Sequence, residues 1–99
     1  MSQDFSNRVV LVTGGSRGIG RAISVALGRA GAKVAINYVQ DSAAAHSTLA
    51  EVEGAGGSGG VYQADVANEP AVQEMARHIE NSLGPIDMLV TSAGIAKAQ

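Results

Sequence analysis

Apolar positions along this chain follow two rhythms that take turns. Val9–Val12 is a continuous run of strand length, the pattern of a strand covered on both faces. Ile19, Ala22, Ile23, Ala26, Leu27 and Ala30 then recur at i, i+3, i+4, i+7, i+8 and i+11, which is one face of a helix. Gly31 follows at the position of a C-terminal cap. Lys33–Tyr38 is a second strand, and Ser42–Glu53 a weaker helix carried by Ala45, Leu49 and Val52. Five glycines between Gly54 and Gly60 predict a flexible turn. A short third strand, Val61–Ala64, ends at Asp65-Val66. Asn68 is placed to cap the next helix and Pro70 fits its first turn, with Val72, Met75, Ala76, Ile79 and Leu83 as its inner stripe. Gly84-Pro85 ends that helix, and Ile86–Thr91 is a fourth strand opening into Ser92-Ala93-Gly94.

The order is β-α-β-α-β-α-β with short connections. Right-handed crossovers then require an α/β, Rossmann-like, doubly wound parallel sheet in the order 3-2-1-4. Residues 1–99 hold no internal repeat and no separate linker, so one domain is expected. The fourth strand, with apolar Met88, Leu89 and Val90, would be an uncovered edge. Pairing with a second copy or a complementing chain, or descent from a longer parent, is therefore expected.

Composition narrows the function classes. A 45% hydrophobic and 16% charged chain is globular. Three aromatic residues and a net charge of −2 offer neither a stacking platform nor a basic footprint for nucleic acid. The absence of cysteine excludes disulfides and thiolate metal sites, and no metal site is expected. No apolar run approaches the ~20 residues of a membrane helix. Met1-Ser2-Gln3-Asp4 lacks the basic-then-apolar start of a secretion signal. A cytoplasmic protein is the expectation.

The candidate chemistry lies just after the first strand, where Gly14, Gly18 and Gly20 open a helix. A helix N-terminus there presents unpaired N–H groups and a positive dipole end, which suit a phosphate. A P-loop has Lys and Ser/Thr after its last glycine, and Arg21-Ala22 follow Gly20 instead. Gly-x-Gly-x-x-Gly fails as well, because Ile23 stands where its third glycine belongs. A methyltransferase-like Gly-x-Gly loop stays open on the glycines alone, although it usually has an acidic residue ending the second strand, where Asn37 stands.

What remains is Thr13-Gly14-x-x-x-Gly18-x-Gly20, and here the chain resembles the short-chain dehydrogenase/reductase family. Asp65-Val66 sits where that family places its adenine-contacting Asp. Asp87-Met88-Leu89-Val90-Thr91-Ser92-Ala93-Gly94 is similar to the family's fourth strand with its Asn-Asn-Ala-Gly ending, Thr91 and Ser92 replacing the asparagines. Within that family the chain looks similar in flavour to the bacterial 3-oxoacyl-carrier-protein reductases. The resemblance implies a cofactor site of Gly14, Ser16, Arg17, Gly18, Ile19, Gly20, Asn37, Asp65, Val66, Ser92, Ala93 and Gly94. It implies NADP(H) over NAD(H), because no acidic residue stands at the end of strand two and the Arg17 guanidinium suits phosphate oxygens. A carbonyl or acyl-carrier substrate in the full-length parent, and a homo-oligomer, are implied with it.

Family members reduce a carbonyl with Tyr-x-x-x-Lys and a serine placed beyond the fourth strand. Four residues after Tyr38 stands Ser42 and four after Tyr62 stands Val66, so no catalytic residue is assigned in these 99 residues. The expected role is the dinucleotide-binding half of a reductase. The alternative is a non-catalytic nucleotide-binding or partner-interaction module. Plainer readings exist too: Arg17 as a solvated charge, Asp65 as a turn cap, His46 and His78 as surface residues, and Met75 and Met88 as core filler.

Overall fold

The computed structural model describes residues 5–91. Four parallel strands form one sheet: β1 (Val9–Thr13), β2 (Lys33–Tyr38), β3 (Ser58–Gln63) and β4 (Met88–Thr91). The helices between them are α1 (Gly18–Arg29), α2 (Ser42–Gly54) and α3 (Glu69–Ser82). The strand order is β3-β2-β1-β4, as the alternation of elements predicts. Among the described residues, β3 and β4 are the two edges.

Each face of the sheet has its own core. On one side, Val10, Val12, Val34 and Ile36 meet Leu27, Ala45 and Val52 of α1 and α2. On the other, Val9, Leu11 and Ala35 meet Met75 and Ile79 of α3. The continuous apolar run of β1 is thus explained, since both sides of that strand are buried. Asp87 precedes β4 because its chain work is different. Its carboxylate accepts from Val9 N–H at 2.9 Å and its own N–H donates to Val9 O at 2.8 Å, which ties β4 to the start of β1.

Strand β4 starts at Met88 rather than Ile86, and two further elements differ from the sequence expectation through glycine. Strand β3 begins at Ser58, not Val61, so Gly59 and Gly60 lie in the ladder opposite Val34 and Ala35. A Cβ on Gly59 would lie 2.0 Å from Val34 O, so this position takes only a residue without a side chain. Helix α1 buries Gly20, Ser24, Leu27 and Gly28, whereas Ile19, Ala22 and Ala26 of the expected stripe are exposed. The seam is made of small residues four apart. At Gly28 a Cβ would come within 2.8 Å of Val52 Cγ1, and Ser24 folds its hydroxyl back onto Gly20 O at 2.8 Å. Close helix approach, not apolar mass, selects this face.

Outside that seam, Arg21 joins α1 to α2. Its guanidinium donates to both carboxylate oxygens of Glu51, at 2.7 and 3.3 Å, and to Ser47 Oγ at 3.1 Å. This hydrogen bonding holds the Glu51 carboxyl below its ordinary value of 4.5. A lowered folded-state value stabilises the fold above the unfolded pKa and stops doing so as pH falls through the lowered one. Glu51→Gln is therefore expected to melt slightly below the wild type at pH 7, because the pair is exposed. The gap should close as the pH falls below 4.5, a trend read by melting both proteins across pH 7 to 3. A gap that is the same at every pH would show that the charge pair contributes nothing.

Candidate functional site

Among the described residues, the glycine loop and the two hollows beside it lie at the carboxyl end of the sheet. Thr13 ends β1 with its hydroxyl 3.5 Å from Val90 O, and the chain turns through Gly14, Gly15 and Ser16 into α1. Gly18, at φ 59°, occupies the left-handed region that disfavours side chains. A Cβ on Gly18 would meet no protein atom within 4 Å, so the backbone there faces open space rather than another element. Gly20, two residues further on in the first turn of α1, is buried. Ser16 is buried, and its carbonyl accepts from Thr48 Oγ1 of α2 at 3.0 Å, which pins the loop from behind. Ile19 projects outward from the first turn of α1 with 66% of its surface exposed.

Arg17 is the N-cap residue of α1, in extended backbone, and its side chain makes no capping bond. The guanidinium is 75% exposed and reaches Asp41 Oδ2 at 3.5 Å. Together, Gly14, Ser16, Arg17, Tyr38, Val39, Gln40 and Asp41 line a cleft of about 250 Å³. The loop after β1 forms one wall and the loop after β2 the other.

Asn37 is not in that cleft. Its side chain is 1% exposed and faces inward, where Nδ2 donates to Ala64 O at 3.0 Å and to Tyr62 O at 3.3 Å, and lies 3.5 Å from Met75 Sδ. Its Oδ1 accepts from Gly14 N–H at 3.2 Å, and its backbone carbonyl accepts from Gly15 N–H at 3.1 Å. Asn37 therefore holds the glycine loop from beneath and ties it to the end of β3. Tyr38, next along β2, turns to the opposite face, where it is half-buried against the core under α1 and α2 and lines the cleft.

The remaining expected residues divide as follows. Asp65 is exposed and accepts from Ala67 N–H at 2.9 Å, which makes it a cap of the turn before α3. Val66 lines a second hollow of about 490 Å³ with Leu11, Thr13, Val72, Met75, Leu89 and Thr91. That trough is almost entirely apolar, and Leu89 in its wall is 60% exposed. Thr13 lines the trough while Gly14 lines the polar cleft, so the two hollows flank the end of β1. Ser92, Ala93 and Gly94 lie outside the described residues. His46 is exposed on α2, with Nδ1 2.9 Å from Ser42 O, and His78 on α3 faces Glu74 at 3.3 Å. Among the described residues no group of three potential metal-binding side chains converges. No helix among them is long and apolar enough to cross a membrane.

Sequence reasoning passed over Asp41. An Asp directly before the Ser42 helix start is an N-cap signal, and Asp41 Oδ1 does accept from Ala44 N–H at 2.9 Å. The cap was legible; its second partner, Arg17, was not.

The family model for short chain dehydrogenases matches residues 8–99. The chain is 42% identical over 91 residues to a short-chain dehydrogenase/reductase homolog, YusS, of Bacillus subtilis, covering 92% of this chain and 84% of that one. It is 50% identical to an acetoacetyl-CoA reductase of Shinella zoogloeoides over 92% of this chain but 36% of the reductase. Among solved structures, a dehydrogenase/reductase of Sinorhizobium meliloti superimposes with a TM-score of 0.89 at 40% identity, over 95% of this chain and 37% of the other. An NADH-dependent reductase complexed with NAD gives 0.85 at 31% identity, over 92% and 38%. This chain thus spans a little over a third of the length of those reductases.

Proposed function

The chain belongs to the short-chain dehydrogenase family, and from there we propose that it supplies the adenine-side half of a nicotinamide dinucleotide site that favours NADP(H) over NAD(H). The observation that carries this reading is Arg17, an exposed guanidinium at the mouth of a cleft whose other wall starts with Tyr38, Val39 and Gln40, none of them acidic, before Asp41. A ribose 2′-phosphate is the group for which such a guanidinium is suited, through paired charge-assisted bonds. Gly14 would turn the chain, and the backbone at Gly18 with the N-terminus of α1 would hold the pyrophosphate, Ser16 and Ile19 lying beside it and Gly20 seating the helix. Asp65 and Val66 would border the adenine, and the family resemblance adds Ser92, Ala93 and Gly94 to the cofactor-binding residues. Asn37 serves the site indirectly, by fixing the loop.

In this reading residues 1–99 are the N-terminal cofactor-binding portion of a longer, soluble carbonyl reductase that forms homo-oligomers. A 3-oxoacyl thioester, on coenzyme A or an acyl carrier, is the favoured substrate class, since the acetoacetyl-CoA reductase is the relative with 50% identity. The cofactor's part is hydride delivery; that of these residues is binding and orientation.

Calorimetric titration of the 99-residue chain with NADPH, and separately with NADH, tests the proposal. Saturable binding that is tighter for NADPH is the expected result. Equal affinity for both removes the NADP(H) preference. Binding of neither by a chain shown to be folded turns the reading toward a partner-interaction module.

A further inference from the structure

Asp41 does two things at once, and the combination bears on which nucleotide the cleft selects. One carboxylate oxygen caps α2 through Ala44 N–H at 2.9 Å, which immobilises the side chain. The other faces Arg17 Nη2 at 3.5 Å across the cleft. Among the described residues Asp41 is the ion-pair partner of Arg17. The capping bond therefore aims a fixed negative charge at the cation that a 2′-phosphate would need.

Resting on the reading of Arg17 as the 2′-phosphate contact, we propose that Asp41 is a positioning residue that restrains the preference for 2′-phosphorylated nucleotides. It does so by holding Arg17 across the cleft and competing for it. A nucleotide with a 2′-phosphate must take the guanidinium from Asp41 and bring its own negative charge beside the carboxylate. A nucleotide with a free 2′-hydroxyl does neither. Because the pair is exposed, each contribution is modest, and together they correspond to about a three- to tenfold weakening of the phosphorylated ligand. The chain would accordingly discriminate less sharply between the two cofactors than an unopposed Arg17 would allow.

Adenosine 2′,5′-bisphosphate and adenosine 5′-monophosphate differ only in the group at issue, and neither needs a nicotinamide half-site. Asp41→Asn keeps the cap, since asparagine caps as well as aspartate, and circular dichroism checks that α2 persists. In Asp41→Asn, affinity for the bisphosphate is expected to rise about three- to tenfold, with the monophosphate unchanged. In an Arg17→Ala background the same substitution should give a clearly smaller gain. A wild-type preference for the bisphosphate that Asp41→Asn leaves unchanged overturns this inference alone. So does an equal rise for both ligands, or a gain fully retained without Arg17. A folded chain in which neither protein distinguishes the two ligands, or binds either, overturns the 2′-phosphate reading itself and the inference with it.

Discussion

Asn37→Asp is expected to lower the melting temperature of this chain by more than about 10 °C and to leave its cofactor preference where it was. On the sequence alone the opposite is the natural expectation. Asn37 stands near the end of the second strand, where an acidic residue would grip the ribose hydroxyls and turn the site toward NAD(H). In the structure the side chain points the other way. Its amide donates to the carbonyls of Ala64 and Tyr62, and its oxygen accepts from Gly14 N–H. Aspartate has no N–H to give those carbonyls and would set a buried charge against two negative dipole ends. Leaving a buried charge uncompensated costs about 3–5 kcal/mol, a large share of the 5–15 kcal/mol that a small domain commands.

A pH dependence should accompany the loss. Burial and the two carbonyls would push the new carboxyl above its unfolded value, so the variant regains stability as pH falls and the acid protonates. Thermal melts at pH 7.5 and pH 4.5, with NADPH and NADH titrations on the folded fraction, separate the two accounts. Unchanged stability with a swing toward NADH would place Asn37 at the ribose and refute its role as a latch.

Arg17→Glu carries the second large expectation, and it concerns binding rather than stability. NADPH should weaken by about 1.5–3 kcal/mol, or roughly ten- to a hundredfold, while NADH changes by less than about threefold. The fold should survive because Arg17 makes no capping bond at the head of α1, and a glutamate there agrees with the helix dipole. The new carboxylate would face Asp41 and the 2′-phosphate together, so repulsion adds to the lost charge-assisted bonds. Since the site is exposed, the difference between the two cofactors should shrink as salt is raised from 0.05 to about 0.5 M. Parallel titrations of both cofactors at two ionic strengths read all of this. An equal loss for NADPH and NADH would mean that Arg17 acts on a part the two cofactors share and does not read the 2′-phosphate.

Helix α3 shows what local chemistry makes legible. Asn68 accepts from Ala71 N–H at 3.1 Å, Pro70 sits in the first turn, and Met75 and Ile79 are buried, each as the residue pattern indicates. These features depend on neighbours three or four positions away, and so the chain states them openly. Helix α1 and strand β3 show the limit. Apolar periodicity picked a face of α1 by side-chain mass, whereas the packed face is chosen by Gly20, Ser24 and Gly28, which let α2 and the sheet come close. Glycine is a poor strand former, so a Gly-Gly pair reads as a turn until a Val34 carbonyl is found where a side chain would have stood.

The site divides along the same line. Strand runs, caps and the glycine spacing after Thr13 are local, and they sufficed to establish the alternating α/β order, the 3-2-1-4 sheet and a glycine-rich loop at its carboxyl end. Which way Asn37 and Tyr38 face, and which carboxylate meets Arg17, depend on residues 23 to 27 positions apart brought together by parallel crossovers. Those partners are set by strand register and helix packing, which no short stretch of sequence encodes, so only the folded chain could decide them.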